Sequence, residues 1–260
     1  GYSFRGTPWL QARQKENPLV VINSILIDGT TCSGDVTIPD SVTKIGESAF
    51  YESAYRESTK LTSITIPDSV SSIGVQSFAY CAGLTKITIP DSVTTISSEV
   101  FRGCSALTKI IIPDGVSLIR DGTFRDCKAL TQITIPKNAT EIDDFAFYGC
   151  TCLERIDIPD RVKRIDKFTF AYCDALSSVT IPDSVTNIGE NAFSDCSKLT
   201  LKGSSGSYAE SYAKDNNIPF EAIDGESTEA QTGTCGDKLT WTLDSNGTLT
   251  ISGTGDMDNW

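Results

Sequence analysis

The sequence predicts a β-rich (α+β) repeat solenoid, and three observations predict it. Ile-Pro pairs recur every 23 residues, at Ile66, Ile89, Ile112, Ile135, Ile158 and Ile181, with an earlier copy at Ile38. Apolar columns recur at the same period, and each period closes on a Phe followed by a Cys. Self-similarity at 20 to 50 residues marks a stack of small units, none of which can bury its apolar face alone.

Each position within a period has a physical role. Leu61, Leu84, Leu107, Leu130, Leu153, Leu176 and Leu199 form one inward column, and Ile64, Ile87, Ile110, Ile133, Ile156 and Val179 form another. Side chains alternate across a strand, so the residue after each of the second set points outward, giving Thr65, Thr88, Ile111, Thr134, Asp157 and Thr180. Pro then removes a backbone donor where the strand ends, and Asp-Ser or Asp-Gly turns the chain. Val70 and Ile73, like Val93 and Ile96, re-enter the core as a second short parallel strand. The stretches from Gly74 to Tyr80 and from Gly189 to Asp195 read as a helical turn that closes the coil.

The unit from Leu176 to Cys196 reads Leu-Ser-Ser-Val-Thr-Ile-Pro-Asp-Ser-Val-Thr-Asn-Ile-Gly-Glu-Asn-Ala-Phe-Ser-Asp-Cys. It closely resembles the repeat of the bacterial BspA-like branch of the leucine-rich repeats, and the resemblance runs from about Val36 to Ile223. The resemblance implies a right-handed stack and a secreted or surface-displayed, non-catalytic module for protein binding or adhesion, with host or bacterial surface proteins as partners. It names no particular partner.

Composition bounds the remaining functions. A formal charge of −12 argues against nucleic acid, whose affinity rests on clustered Lys and Arg. No apolar run is long enough to span a bilayer. With no His in the chain, Ser-His-Asp, Cys-His and His-metal mechanisms are excluded, and a regular solenoid offers no evident cleft to desolvate one carboxylate of an acid pair. A glycan partner is the alternative to a protein, but it calls for exposed aromatics, and the outward strand columns carry none. No cofactor is implied.

In chain order, residues 1–35 read as the tail of a preceding repeat and an N-terminal cap. Thr7 is an N-cap and Pro8 a first helical residue, so a helix over Pro8 to Glu16 stops before Pro18. Leu19 to Asp28 reads as strand, broken at Asn23-Ser24. The solenoid proper covers 36–199, about seven repeats, with an insertion at 51–60 where Phe50 to Leu61 spans eleven positions rather than six. That loop is either a neutral decoration or a protruding contact carrying Tyr51, Tyr55 and Arg56. Residues 200–224 form a C-terminal cap, in which Ser207 and Glu210 make a capping box and Tyr208 and Tyr212 share a helix face. A polar linker at 225–233 leads to a β-hairpin over 234–260, flanking Asn246-Gly247 and opening a following module. The absence of an initiator Met and edges that cut through modules read as an excised piece of a longer protein, so the lack of a signal peptide is uninformative.

Two ladders invite chemistry and have simpler readings. Cys81, Cys104, Cys127, Cys150, Cys173 and Cys196 recur at the period; stacked side chains point the same way, which is poor disulfide geometry, so they read as buried unpaired thiols. Cys150-Thr-Cys152 is too short for a zinc knuckle. The column Asp40, Asp68, Asp91, Asp114, Asp160 and Asp183 reads as turn chemistry in preference to a calcium ladder, and Lys137-Asn138 interrupts it. The repeat from Leu153 to Cys173 is the charged one. Its Arg155, Asp157, Arg161, Lys163, Arg164 and Lys167, with Arg120, Arg125, Lys128 and Lys137 nearby in sequence, are either a solvated surface of mutual ion pairs or a site for an acidic partner.

Overall fold

The computed structural model describes residues 4–51, 60–223, 231–236, 239–243 and 248–253. It is a parallel β-solenoid of about eight turns of ~23 residues. Each coil has three sides. The first carries the strands Gly34–Thr37, Leu61–Thr65, Lys86–Thr88, Lys109–Ile111, Gln132–Thr134, Arg155–Asp157, Ser178–Thr180, Thr200–Gly203 and Phe220–Ala222, called sheet one below. The second carries two-residue strands, from Lys44–Ile45 to Asn187–Ile188, called sheet two. Registers are those of in-line stacking, for example Ile156 beside Val179 and Ile142 beside Ile165. The ladder of sheet one is interrupted between Lys86–Thr88 and Lys109–Ile111 and again between Gln132–Thr134 and Arg155–Asp157.

The third side is not helical. Its residues form linked turns in which N–H groups alternate: Ser77, Ala79 and Cys81 donate three residues back within the coil, whereas Gln76, Phe78 and Tyr80 donate to Ser98, Val100 and Arg102 of the next coil. A helix would turn every N–H inward along its own axis and leave the next coil unbonded. Alternation requires a left-handed residue at intervals, and Gln76, Tyr80, Glu99, Asp126, Phe145, Phe168, Tyr172, Asn191 and Asp195 have φ between 54° and 62°. Each such residue costs about 1–2 kcal/mol, which the inter-coil bonds offset. From Gln76 to Tyr80 and at the equivalent positions of the later described coils, the inter-coil backbone bonds point their N–H toward the C-terminal end, as in Glu99 to Asp121, Phe124 to Ala146 and Tyr172 to Ser194.

The core is a set of ladders. Phe50, Phe78, Phe101, Phe124, Phe147, Phe170 and Phe193 stack with centroids 5.1–5.7 Å apart and nearly parallel rings. The stack begins on Gly29, where a Cβ would lie 2.3 Å from the Phe50 ring. It ends against Tyr212, edge-on to Phe193 at 6.1 Å. The Leu column and five of the six strand Ile/Val positions are buried; Ile133 is half-buried. The column cysteines are buried and in no disulfide among the described residues, except that Cys196 is half-buried because the stack ends there. They are more than small apolar fillers. Each thiol donates to the carbonyl of a Phe in the preceding coil, as Cys150 Sγ does to Phe124 at 3.2 Å and Cys173 Sγ to Phe147 at 3.2 Å. Burial pushes the Cys127, Cys150 and Cys173 thiols up, Cys127 and Cys173 well above the ordinary value.

Both ends are capped. Helix α1, Pro8–Glu16, starts at Thr7, whose Oγ1 accepts from the Leu10 N–H at 3.2 Å. The strands Val20–Ile22 and Ile25–Asp28 pair antiparallel across Asn23 and Ser24, both with positive φ. The second of them joins sheet two. Asp28 is buried and accepts from Gln14 Nε2 at 2.8 Å and from the Thr30 N–H at 3.2 Å, tying the helix to the hairpin. At the other end helix α2, Tyr208–Asp215, is capped by Ser207 Oγ, which accepts from the Glu210 N–H. The box is shifted by one residue, since the Glu210 carboxylate takes the N–H of Gly206. Tyr208 is exposed while Tyr212 packs on the core. Farther on, Gln231–Gly236, Leu239–Leu243 and Leu249–Gly253 form a three-stranded antiparallel sheet. Its first strand takes up Gln231–Gly233, which composition alone reads as linker, because cross-strand pairing to Trp241 and Leu243 supplies what local propensity lacks. Asn246-Gly247 lies outside the described residues. Among those described, no helix is long and apolar enough to cross a membrane.

Candidate functional site

Strand alternation puts Lys86, Lys109, Gln132 and Arg155 in one outward column of sheet one and Ile111, Thr134 and Asp157 in another. Where the ladder is interrupted between Gln132–Thr134 and Arg155–Asp157, a shallow groove of about 480 Å³ opens. Ile133 is half-buried because it forms the floor of this groove, and Lys109, Gln132, Glu154, Arg155 and Asp157 are on its walls. Arg155, Asp157, Glu154 and Lys109 are all exposed, and among the described residues none of them is in an ion pair. The groove therefore combines an apolar floor with uncommitted charges of both signs.

The charged repeat is not one patch. Arg155 and Asp157 face outward from sheet one, whereas Arg161 sits in the turn between the sheets and donates to Asn138 Oδ1 at 3.2 Å. Lys163 is exposed at the entrance to sheet two, its N–H bonded to Thr140 O. Arg164 lies in sheet two and is committed, pairing with Glu141 at 2.8 Å and Asp166 at 3.0 Å. Lys167 starts the turn side, its backbone N–H held by Asp144 Oδ1 at 2.9 Å. Of the neighbouring cations, Lys137 pairs with Asp114 at 2.9 Å, filling its break in the Asp column with an ion pair. That pairing lowers the Asp114 carboxyl and raises Lys137. Tyr51 packs edge-on against Tyr80 at 5.7 Å, with the Arg5 guanidinium 5.0 Å from its ring; Tyr55 and Arg56 lie outside the described residues.

Periodicity did not single out two further clusters. Between sheet two and the turns, burial above all pushes the carboxyls of Asp121, Asp143 and Asp166 up, with nearby Glu99, Glu141 and Asp144 adding to it. Among the described residues no three His, Cys, Asp or Glu side chains are placed to hold a metal ion. The second cluster is a row of rings and guanidiniums on the turn side: Tyr80, Arg102, Arg125, Tyr148 and Tyr172, flanked by Phe145 and Phe168. The signal was present in the positions between each core Phe and its Cys, but those slots vary from coil to coil and look irregular until the coils are stacked.

The profile of the BspA type leucine rich repeat region matches residues 2–82, 21–140, 51–167 and 118–201, in six copies. The chain belongs to this family. A crystal structure of a leucine rich repeat protein from T. pallidum is similar with a TM-score of 0.62 and 23% identity, covering 76% of this chain and 89% of that one. A leucine rich cell surface protein from Faecalibacterium prausnitzii A2-165 aligns at 26% identity and TM-score 0.41, over 68% of this chain and 71% of that one. The pneumococcal vaccine antigen PcpA aligns at 18% identity and TM-score 0.38, over 73% and 78%. Nothing among curated proteins matches. The fold of this BspA-type chain is thus shared with the solved T. pallidum leucine rich repeat protein.

Proposed function

We propose that this BspA-type chain is a non-catalytic interaction module, displayed at a bacterial surface or secreted, that binds a protein partner through sheet one. The observation that carries the reading is the groove at the interrupted ladder, where Arg155, Lys109 and Asp157 stand unpaired over the half-buried Ile133. Unpaired charges around an apolar floor suit recognition, because partner groups can satisfy them without first breaking internal ion pairs. Arg155 suits a carboxylate, which its planar fork can bond at both oxygens. Arg161, Lys163 and Lys167 extend basic character around the edge of the same coil, and Tyr51, with Tyr55 and Arg56 of the inserted loop, is the other contact proposed. Surface display is supported by family membership and by relatives named as a cell surface protein and a vaccine antigen. Probing an array of purified extracellular-matrix and bacterial surface proteins with the chain tests the proposal. Protein ligands whose association slows on Arg155→Glu and on Ile133→Lys are expected; an array with no protein ligand rejects it. A second reading, glycan binding, is favoured by the aromatic row on the turn side.

A further inference from the structure

The turn side repeats planar side chains along the solenoid axis, one or two to a coil. Tyr51 and Tyr80 are in contact at 5.7 Å, the Arg102 guanidinium lies 5.5 Å from the Tyr80 ring, and Arg125 follows in the next coil. Arg125 is held 4.8 Å from the Tyr148 ring and 5.2 Å from Phe145. Tyr148 then meets Tyr172 at 5.1 Å, and Phe145 stacks on Phe168 at 5.3 Å. Five coil spacings separate Tyr51 from Tyr172, about 24 Å at about 4.8 Å per coil. Each planar group is braced by its neighbour, so little side-chain freedom remains to be lost on binding.

Three observations say what such a row can recognise. Backbone N–H groups on this side are spent on turns and on the next coil, as at Phe145, Phe147 and Gly149, so a ligand is met by side chains and an added peptide strand finds no main-chain partners. The tyrosine rings pack in contacting pairs, Tyr51 with Tyr80 and Tyr148 with Tyr172, and do not stand apart as the two walls of a proline slot. Charge is balanced toward the negative: Arg102 pairs with Glu99 at 2.9 Å, Asp126 lies 3.6 Å from Arg125 Nε, and Tyr172 bonds Asp195, so a polyanion meets no basic field. What stays available is hydrogen-bonding capacity. The Arg125 guanidinium makes no side-chain hydrogen bond among the described residues and its side chain is 30% exposed, and Tyr172 is 44% exposed. Flat rings beside guanidinium and carboxylate forks match a ligand with apolar C–H faces and pairs of adjacent hydroxyls.

We propose that the turn side, centred on Arg125, Tyr148 and Tyr172, is a binding surface for a neutral glycan chain. The surface is distinct from the sheet-one groove, and either can fail alone. The test is isothermal titration of the full chain with soluble neutral polysaccharides (a β-glucan, a mannan and a galactan), with heparin and a proline-rich peptide as comparators. Binding of at least one neutral polysaccharide is expected, changing by less than about twofold between about 0.15 M and about 1 M salt, where the Debye length falls from about 8 Å to about 3 Å. Tyr172→Ala, at an exposed position, and Arg125→Lys, which keeps the charge and removes the fork, should each weaken it about tenfold or more. Arg155→Glu on sheet one should leave it unchanged. Unaltered melting temperatures would show that these variants keep the fold; if one is unfolded, protection of Tyr172 from nitration by the bound polysaccharide in the native chain is the readout. No neutral polysaccharide bound, binding indifferent to both variants, no protection of Tyr172, or selective binding of heparin or the proline-rich peptide each overturns the proposal.

Discussion

Replacing Phe147 by Ala tests the central claim that the coils are held together by a continuous ring stack. Phe147 is fully buried between Phe124 at 5.4 Å and Phe170 at 5.2 Å, both rings within 9° of parallel to it. Loss of the ring costs about 3–5 kcal/mol from transfer and cavity, and two ring contacts at about 0.5–1.5 kcal/mol each place it near the top, about 5 kcal/mol. For a chain of this size about 2–4 °C accompanies each kcal/mol, so the melting temperature should fall by roughly 10–20 °C. Ile133→Ala, at a half-buried position, should cost about 1–2 kcal/mol and outward Thr134→Ala less than about 0.5 kcal/mol. Contacts run only between neighbours, so Phe147→Ala with Phe170→Ala should couple by about 0.5–3 kcal/mol, whereas Phe101→Ala with Phe170→Ala, three coils apart, should add. Calorimetry or circular dichroism melts decide it. A Thr134→Ala loss as large as that of Phe147→Ala, or equal coupling in both pairs, would refute the reasoning.

Thiol counting in denaturant should recover all six column cysteines without reductant, while in the native state a thiol reagent should label exposed Cys152 ahead of them; fewer than six free thiols contradicts the ladder. The thiols also predict alkaline weakness. Burial, chiefly, pushes Cys32 and Cys196 up to about 11, and Cys127, Cys150 and Cys173 also up, so the folded chain keeps protons that the unfolded chain sheds. Stability is therefore full below the unfolded thiol value near 9 and is lost as pH rises toward and past 11, by up to about 1.4 kcal/mol per pH unit for each thiol. Melts under reducing conditions from pH 8 to 11 check this, and replacing Cys127, Cys150 and Cys173 by Ala should flatten the slope. Asp143→Asn should raise the melting temperature at pH 7 more than at pH 4, because burial, aided by Glu141, raises the folded carboxyl, and that destabilisation appears only once it ionises; a larger gain at pH 4 contradicts it. Arg164→Glu should lower the melting temperature by setting a third carboxylate against Glu141 and Asp166, whereas Arg155→Glu should leave it nearly unchanged; equal effects would place the two arginines in similar surroundings.

The strand sides were legible because inward and outward positions alternate strictly, and Ile64 through Val179 repeat their chemistry at a fixed period. Helix α1 was legible for a local reason, since Thr7 and Pro8 mark its start and Pro18 its stop. The turn side was misread as helical because propensity describes a segment alone, while the left-handed residues at Tyr80 or Phe168 exist to bond a coil 22 residues onward. Ile133 could not be told from its column mates, since the interrupted ladder that exposes it is a property of two coils together. Arg155 and Arg164 looked alike in sequence and differ in the fold, one unpaired on sheet one and the other between two carboxylates on sheet two. The aromatic row went unseen because its members occupy different slots of different repeats.

The one-way bonding of the turn side gives the molecule a head and a tail. Its peptide dipoles add along the axis, with carbonyl oxygens toward the N-terminal end and N–H groups toward the C-terminal end, opposite in sense to a helix of the same direction. The two terminal pieces therefore cannot be interchanged. The first must give protons, and it does: the Gly29 N–H donates to Ala49 O at 2.7 Å and Arg5 Nη2 to Ser48 O at 2.7 Å. The last must take them, and the Tyr212 hydroxyl takes backbone bonds at Ala192 and Phe193, burial pushing it up to about 12 so that it stays neutral. A lengthened array can be built by adding coils between these two pieces, in one orientation only, and a reversed coil would face oxygen with oxygen at one junction and hydrogen with hydrogen at the other.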